Sequence, residues 1–250
     1  MAFNSRKYYD AVGVMGESSS DISRFEKTLP HLLEGVPLLD VGTGEGFFQE
    51  FLDGRLNAKV TSVDISYVRL REAIAKKRVF SGVIADATSL PFINEEFEQV
   101  TALETLEHIP DWKTAMKELF RVAGKRLIVT VPFDQRIGYE QCPSCGHSTP
   151  YSGHFHRFSE IAFRNLSLDG ALTFEYFYPP HRLGHYFFRG AKALIQESTS
   201  QNRPERKNEA VCVSCFSKVA YTHRWRKRFY RLVDVAMHKP YYLLVRVDKL

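Results

Sequence analysis

A glycine-rich turn between two apolar segments constrains the fold of this 250-residue chain more than any other feature. Residues 38–46 read LLDVGTGEG: an apolar run ends around Asp40, glycines follow at Gly42, Gly44 and Gly46, and a helix-like segment, FFQEFL, comes next. Glycine lets the backbone turn sharply and lets a ligand come close, because it has no Cβ. The order predicts a strand, a tight turn and a helix whose N-terminus offers free N–H groups to a ligand.

Acidic residues follow the next apolar segments. Asp64 lies in AKVTSVDIS, 22 residues after Gly42, which is about the separation at which an acid binds a ribose diol in a strand–helix–strand unit. Asp86 follows a third apolar segment, and a fourth, FEQVTALETLEHI, passes from a strand into a helix. Each aspartate alone could instead be a helix N-cap. The agreement of four segments in order and spacing favours a cofactor site.

These segments, over roughly residues 37–133, resemble the class I S-adenosylmethionine (SAM)-dependent methyltransferases of the type 11/12 kind. The resemblance implies that the glycine loop lies under the methionine part of SAM and that Asp64 binds both ribose hydroxyls. It implies that Asp86 binds the adenine amino group, with Ala87 close to the ring, and that Leu106–Ile109 flanks the reacting methyl. The predicted cofactor-binding residues are Asp40, Gly42, Gly44, Gly46, Asp64, Ile65, Asp86, Ala87 and Glu104.

Periodicity predicts an α/β fold. Strands are expected at 37–41, 59–64, 80–85, 97–103, 125–133, 172–178 and 241–247. Helices are expected over FFQEFL, SYVRLREAIAKKR, DWKTAMKELFRV with Asp111 as its N-cap, and SEIAFRNLSLDG. This alternation predicts a Rossmann-like, doubly wound, seven-stranded and mostly parallel sheet, with its site at the carboxyl ends of the strands.

The same pattern predicts the domain organisation. Residues 1–36 form a helical lead-in or cap, in which Tyr8 and Tyr9 either pack over the cofactor or lie on the surface. Residues 37–180 with 241–250 form the core. Two insertions interrupt it, 134–158 after the fifth strand and 181–240 between the sixth and seventh strands.

Each insertion contains a Cys-x-x-Cys pair, and together they hold all four cysteines: Cys142, Cys145, Cys212 and Cys215. Two such pairs complete a tetrahedral Cys₄ shell for one structural Zn²⁺. Replacement of one thiolate by His147 is a less favoured alternative, as are disulfides and a redox pair. We expect zinc to clamp the insertions into a lid or substrate-binding subdomain.

The candidate catalytic residues are three histidines, His108, His154 and His156. Either His154 or His156 could be a general base, because imidazole titrates near neutral pH, or a structural histidine. Glu104, Glu107 and His108 form E-x-x-E-H, whose offsets share one helix face. The pattern is similar to that of ubiquinone-pathway O-methyltransferases and small-RNA 2′-O-methyltransferases, which place Mg²⁺ or a related ion beside the acceptor. We favour a bracing role for Glu107 and His108 over bound Mg²⁺.

Positive charge is concentrated at the C-terminal end. Residues 201–250 carry 12 Lys and Arg against 4 Asp and Glu, although the whole chain has a net charge of only +5. Within them, residues 222–238 predict a basic amphipathic helix with aromatic side chains, which suits an anionic membrane surface or single-stranded RNA. A surface helix packed on the domain is the simplest alternative. Between partners we favour a membrane or glycolipid over RNA, because no RNA-binding module is recognisable.

The N-terminus has no apolar signal-peptide core, and no apolar run approaches the ~20 residues that a membrane span needs. We therefore expect a cytoplasmic protein without a transmembrane segment, in peripheral contact with the inner membrane surface if 222–238 binds lipid.

The expected function is methyl transfer from SAM to a hydroxyl or similar nucleophile of a small molecule, sugar or lipid-linked glycan. An rRNA or tRNA methyltransferase is the alternative among enzymes. A SAM-binding, zinc-containing interaction module without catalysis is the alternative of another class.

Overall fold

The computed structural model describes residues 3–16, 19–177, 209–220 and 240–249. Its helices are α1 (Ser5–Val12), α2 (Ser19–Thr28), α3 (Phe47–Leu52), α4 (Tyr67–Ala75), α5 (Trp112–Val122) and α6 (Glu160–Arg164), with short 3₁₀ helices at Leu29–His31, Leu106–His108 and Tyr151–Gly153. Its strands are β1 (Leu38–Val41), β2 (Val60–Asp64), β3 (Gly82–Ile84), β4 (Phe97–Leu103), β5 (Ala123–Pro132), β6 (Tyr139–Gln141), β7 (Ser148–Pro150), β8 (Gly170–Phe177), β9 (Glu209–Val211), β10 (Lys218–Ala220) and β11 (Tyr242–Lys249).

In the described part of the chain, seven strands form one sheet in the order β3-β2-β1-β4-β5-β11-β8. Strand β1 pairs in parallel with both β2 and β4, whereas β11 is antiparallel to β5 and β8. The prediction of a Rossmann-like, doubly wound and mostly parallel sheet is confirmed. Because the chain moves outward from β1 in both directions, a crevice forms at the carboxyl ends of β1 and β4, where such sheets bind ligands.

Both faces of this sheet are covered, as the alternation of side chains along β1 shows. Leu38 packs with Phe25 and Phe48 from the α2 and α3 side. Leu39 packs on the opposite face with Trp112 and the rest of the α5 stripe. Successive side chains of a strand point to opposite faces. The fully buried strand β1 therefore lies at the centre of two hydrophobic layers.

Local chemistry sets the helix boundaries. Asp111 is the N-cap of α5, as predicted, and its carboxylate accepts a hydrogen bond from Thr114 N at 3.2 Å. Ser66 caps α4 in the same way. The helix expected over 159–170 is shorter than predicted, since α6 ends at Arg164 and Ser167 adopts a left-handed conformation just before β8 begins.

The first insertion leaves and rejoins the sheet at one place. Phe133 bridges Phe158 in parallel, and Asp134 N donates to Phe158 O at 2.8 Å. Between them lies the β6–β7 hairpin. Of the second predicted insertion, 181–240, the structure describes the β9–β10 hairpin and residue 240. The proposed domain boundaries remain a prediction.

Candidate functional site

A cleft with an empty volume of about 590 Å³ opens where β1, β2 and β4 end. Six of the predicted cofactor residues line it: Gly42, Asp64, Ile65, Asp86, Ala87 and Glu104. Its walls combine apolar side chains such as Val41, Val63 and Ile109 with acidic ones, which is the mixed lining typical of small-molecule and cofactor sites. The residues that the sequence analysis grouped from four separate segments therefore meet around one cavity.

Asp64 is held in a fixed orientation at the end of β2. Its Oδ2 accepts a hydrogen bond from Gly44 N at 2.7 Å, and its Oδ1 accepts one from Ser66 N at 2.8 Å. Burial raises the pKa of Asp64, and the Ser66 and Gly44 amides oppose that shift by stabilising the carboxylate. Each oxygen has a second lone pair that can accept from a hydroxyl.

Three predicted cofactor residues do not line this cleft. Asp40 and Gly44 line an adjoining cleft that shares Gly42 with it. The Asp40 carboxylate accepts from Thr101 Oγ1 at 2.8 Å and Gln49 Nε2 at 2.6 Å, which ties β1 to β4 and α3. Gly46 precedes α3, and a Cβ there would lie 2.9 Å from Val79 and Arg78 side-chain atoms. In the described structure Asp40 braces the loop, and Gly46 lets α3 pack closely.

Gly42 packs tightly against Thr105, just beyond the ends of β1 and β4. Its φ is +82°, and a Cβ would lie 2.2 Å from Thr105 Oγ1. That hydroxyl donates to Val41 O at 3.2 Å, which links the ends of β1 and β4. A side chain at this position would both clash and strain the backbone.

Glu104 pairs with a residue that the sequence analysis did not identify. Arg24 Nη1 lies 3.4 Å from its carboxylate, and Arg24 Nη2 binds Asp21 at 2.8 Å. Burial raises the pKa of Glu104 to about 7 despite the nearby guanidinium. Arg24 and Asp21 line the adjoining cleft. A helical lead-in carries no sequence signal for this contact, because it arises from tertiary packing.

The N-terminal segment lies across the cleft. Tyr9 lines the cavity, and its hydroxyl donates to His108 O at 3.3 Å. Asp10 accepts from Ser66 Oγ at 2.7 Å, and Arg69 Nε donates to Gly13 O at 2.9 Å. The expected position of Tyr9 near the cofactor region agrees with this geometry. Tyr8 points elsewhere, into a hydrophobic cluster described below.

The three candidate catalytic histidines occupy different positions. His108 lines the cleft, its Nδ1 lies 3.2 Å from Gly153 O, and burial lowers its pKa to about 4. His154 contacts the His108 ring edge-on, with centroids 4.6 Å apart. His156 Nε2 lies 2.8 Å from the carbonyl oxygen of Ile109, and His156 itself is not one of the residues that line the cleft. The geometry favours His108 and His154 over His156 for chemistry in the cleft.

The four cysteines converge from the two hairpins. Cys142 Sγ lies 3.6 Å from Cys215 Sγ, Cys145 Sγ lies the same distance from Cys212 Sγ, and all four lie within 4.8 Å of one another. Zinc–thiolate bonds of about 2.3 Å in a tetrahedron place sulfur atoms about 3.8 Å apart. The arrangement of the thiols fits one Zn²⁺.

The hairpins have matching turns. Gly146 N donates to Cys142 O at 2.8 Å, and Phe216 N donates to Cys212 O at 3.0 Å. Both donors have a left-handed φ, of 72° and 60°. The Ser217 hydroxyl, 3.3 Å from Cys142 Sγ, lowers the pKa of that thiol to about 6. The pKa of Cys145 is instead raised to about 12, because its hydrogen bonds with the other thiols outweigh the one with the His147 backbone. The spacing of the four sulfur atoms, and not their ionisation, therefore supports a metal site.

The β9 hairpin packs on the N-terminal helix. Tyr8, which is 3% exposed, forms a cluster with Val211 and Val213, and Phe155 and Phe216 pack against it. This contact was missed by the sequence analysis, since short apolar stretches in separate segments do not reveal their partners. The hairpin therefore contacts the segment that covers the cleft.

The predicted basic helix, 222–238, lies outside the described residues. Among the helices that the structure does describe, none has the length and apolar character required to cross a bilayer.

Comparison with known proteins identifies the central domain. Residues 39–126 match the family described as a methyltransferase domain. The chain is 34% identical over 104 residues to the chloroplastic tocopherol O-methyltransferase of Arabidopsis thaliana, a match over 37% of this chain and 29% of that protein. It is 33% identical over 104 residues to the O-methyltransferase cnsE of Penicillium expansum, over 38% of each protein. The matches thus span well under half of these relatives.

Solved structures show a similar fold over most of the chain. The phosphoethanolamine N-methyltransferase 2 of Haemonchus contortus, in complex with S-adenosyl-L-methionine, superposes with a TM-score of 0.59 at 16% identity. The match covers 97% of this chain and 56% of that one.

Proposed function

We propose that this chain, which carries a class I SAM-dependent methyltransferase domain, is an enzyme that methylates a hydroxyl or similar nucleophile of a small molecule, sugar or lipid-linked glycan. One observation carries the proposal. The glycine turn, two strand-end aspartates and a buried glutamate come from separate segments, yet they line one cleft.

In this proposal the cleft residues hold SAM, which supplies a methyl group on a cationic sulfonium. Asp64, already oriented by two backbone amides, accepts hydrogen bonds from the ribose hydroxyls. Asp86 and Ala87 bind the adenine. Glu104, with Arg24 beside it, provides charged groups for the amino-acid end. The anionic character of Asp64 and Glu104 suits a cationic cofactor.

The acceptor requires orientation, exclusion of water and removal of a proton. Tyr9 and the N-terminal segment lie over the cleft, where they would limit the access of water to bound SAM. Burial lowers the pKa of His108 to about 4, so its ring is neutral at neutral pH and can accept a hydrogen bond that orients the acceptor, but it is a weak base. His154, in edge contact with His108, is the alternative base.

The acceptor class rests on the relatives and on the cleft. Two relatives are O-methyltransferases by name, one of them acting on tocopherol. The cleft wall is partly apolar, with Val41, Val63 and Ile109 among its lining residues. We therefore favour a small hydroxylated acceptor. The basic segment 222–238 would bring the enzyme to the inner membrane surface from the cytoplasm, and RNA remains the second candidate acceptor because Arg and aromatic residues share that segment.

We further propose one structural Zn²⁺ per chain, held by Cys142, Cys145, Cys212 and Cys215. The sulfur spacing of 3.6 Å across the two hairpins supports it. The thiolates would close the coordination shell, so the ion would hold the hairpins together without entering the chemistry.

The test uses methyl-labelled SAM with an extract of the source cells, fractionated into organic-extractable, small-molecule, RNA and protein pools. Label in the organic or small-molecule pool supports the proposal. Label in RNA would transfer the assignment to an RNA methyltransferase. Absence of label from every pool, with SAM binding intact, would favour the non-catalytic interaction module.

A further inference from the structure

An exposed aromatic side chain lies next to positive charge in the turn that follows α4. The turn and the residues around it, 74–82, read IAKKRVFSG. Phe80 is 93% exposed, and Ile74, in the last turn of α4, is 49% exposed. Every other phenylalanine that the structure describes is buried or half-buried. Single exposed apolar side chains are common on proteins, so the surroundings of Phe80 decide what this one can do.

The fold itself keeps Phe80 at the surface. Arg78 N and Val79 N both donate to Ala73 O, at 3.0 and 3.4 Å, which closes the end of α4. Val79 is 3% exposed and packs with Leu70 and Ala73. Because Val79 anchors the turn from the inside, its neighbour Phe80 is held on the solvent side just before β3 begins. The exposed ring is therefore presented by a fixed turn.

The charge around Phe80 is positive. Arg71, Lys76 and Lys77 are all exposed. Lys76 lies 3.8 Å from Glu72, whereas no ion pair within the described ranges includes Arg71 or Lys77. This surface combines two apolar side chains with three cations, of which Glu72 balances one. The surface, named the α4 corner, consists of Arg71, Ile74, Lys76, Lys77 and Phe80.

The size of the α4 corner argues against a protein partner. Phe80 and Ile74 offer on the order of 300 Å² of apolar surface, whereas a stable protein interface buries about 800 Å² on each partner. A bilayer needs no matching surface of that size. Apolar side chains enter the boundary between the headgroups and the acyl chains, while lysine side chains reach the headgroups.

The charge of the α4 corner identifies the kind of bilayer. Each Lys or Arg close to an anionic membrane adds to binding, and uncharged headgroups supply no such attraction. We infer that the α4 corner docks on an anionic lipid bilayer, with the Phe80 ring at the headgroup boundary and the lysines against the lipid phosphates. This contact lies in the folded domain and is separate from the segment 222–238. None of its residues lines the cleft, so the inference does not depend on methyl transfer.

Ile93 shows that exposure alone does not define such a site. It is 74% exposed, but the loop that carries it is acidic. Ile93 N donates to the Glu96 carboxylate at 2.9 Å, and Glu95 and Glu98 lie nearby in sequence. An anionic membrane repels such a loop. Ile93 is therefore a matched control for Phe80, since it is a large exposed apolar residue with the opposite charge around it.

The experiment measures binding of the full chain to lipid vesicles by co-sedimentation. One set of vesicles is phosphatidylcholine alone, and the other also contains phosphatidylglycerol. We expect the protein to bind the mixed vesicles and to be released by added salt, because salt screens the charges. Phe80→Ser should lower the partition coefficient at least ~10-fold, and Lys76→Gln combined with Lys77→Gln should lower it ~30-fold. Ile93→Ser should bind as the wild type does.

Thermal unfolding shows whether each variant is folded, so the test does not rely on SAM binding or turnover. Wild-type protein that does not bind the mixed vesicles would overturn the inference, and so would folded variants of the α4 corner that bind them as well as the wild type. A wild-type dimer that Phe80→Ser dissociates would show that a second copy covers this surface, and would also overturn it. If vesicle binding follows the expected pattern and no methyl transfer occurs, the inference stands and the proposed function fails.

Discussion

At the scale of single residues, the protonation state of Glu104 couples the cleft to pH. Burial raises its pKa to about 7. The folded protein thus holds this proton more tightly than the unfolded chain, so the contribution of Glu104 to stability falls as pH rises from about 4.5 to about 7. A cationic ligand in the cleft would stabilise the ionised form.

We therefore expect SAM to bind more tightly as pH rises through about 7. Glu104→Gln should remove most of this pH dependence and weaken binding at pH 8, because the amide carries no charge. Calorimetric titration with SAM between pH 5.5 and 8.5 measures both effects. An affinity that is flat with pH in the wild type, or an equally steep profile in the variant, would contradict this role of Glu104.

Gly42 provides a second residue-scale prediction. In Gly42→Ala the new Cβ meets Thr105 Oγ1 at 2.2 Å and the backbone keeps a φ of +82°. Overpacking and left-handed strain together should cost about 2–4 kcal/mol of unfolding free energy. Gly54→Ala is the control, since its φ is +68° with nothing within 4 Å of the Cβ. Chemical denaturation should show a clearly larger loss for Gly42→Ala, and equal losses would refute the close approach to Thr105.

Site residues could be predicted where their role follows from nearby sequence, and could not where it depends on a distant contact. Asp64 could be predicted because its spacing from Gly42 follows from the length of a strand–helix–strand unit. Arg24 could not, because its partner Glu104 is 80 residues away and Arg24 itself belongs to no recognisable pattern. Asp40 was assigned to the cofactor, although its carboxylate is engaged by Thr101, Thr43 and Gln49.

At the scale of elements, α1 lies between the cleft and the cysteine hairpins. Tyr9 lines the cleft, while Tyr8 packs with Val211 and Val213. Gly153 is also close to this helix, since a Cβ there would lie 2.5 Å from Tyr8 Oη. Because Tyr8 and Tyr9 are adjacent in α1, packing of the β9–β10 hairpin on Tyr8 helps to fix the position of Tyr9 at the cleft.

Gly153→Ala should displace Tyr8 and loosen α1, and so weaken SAM binding as well as folding. A cost of about 2–3 kcal/mol in unfolding free energy is expected from overpacking and left-handed strain. Gly35→Ala is the control for left-handed backbone strain alone, because Gly35 has a φ of +73° and nothing lies within 4 Å of the added Cβ. Thermal unfolding and SAM titration of both variants test this coupling, which fails if SAM affinity is the same in both.

The cysteine hairpins give a prediction about metal removal. Cys212→Ser should abolish zinc binding at the four thiols, lower the melting temperature and weaken SAM binding through the Tyr8 cluster. Ser144→Ala, an exposed change between two of the cysteines, should leave all three unchanged. Elemental analysis and thermal unfolding measure the effects. Wild-type protein with no zinc, prepared without chelator, would refute the Cys₄ site.

Elements could be predicted in type better than in extent. The strand expected at 80–85 is only Gly82–Ile84, and Phe80 is 93% exposed. Apolar residues near a sheet edge look like strand in sequence, but whether they pair depends on a neighbour. The hairpin pairs β6–β7 and β9–β10 are three residues per strand and were not predicted, because cysteine spacing indicates ligands and not pairing.

At the scale of the whole molecule, strand alternation predicted the α/β class and the seven strands of the main sheet. The antiparallel placement of β11 between β5 and β8 was not predicted, since its register is set by long-range pairing. The same limit applies to the contact between α1 and the distant β9–β10 hairpin.

SAM binding in the cleft between β1, β2 and β4 is the central property expected of the whole molecule. The most direct measurement is calorimetric titration of SAM into wild-type protein and into Asp64→Asn, with the exposed Asp53→Asn as the control. We expect wild type and Asp53→Asn to bind one SAM each. Asp64→Asn should lose ~100-fold or more in affinity, because hydrogen bonds to a charged carboxylate contribute about 1.5–3 kcal/mol each. Folded wild-type protein that does not bind SAM, or an Asp64→Asn variant with unchanged affinity, would contradict the account.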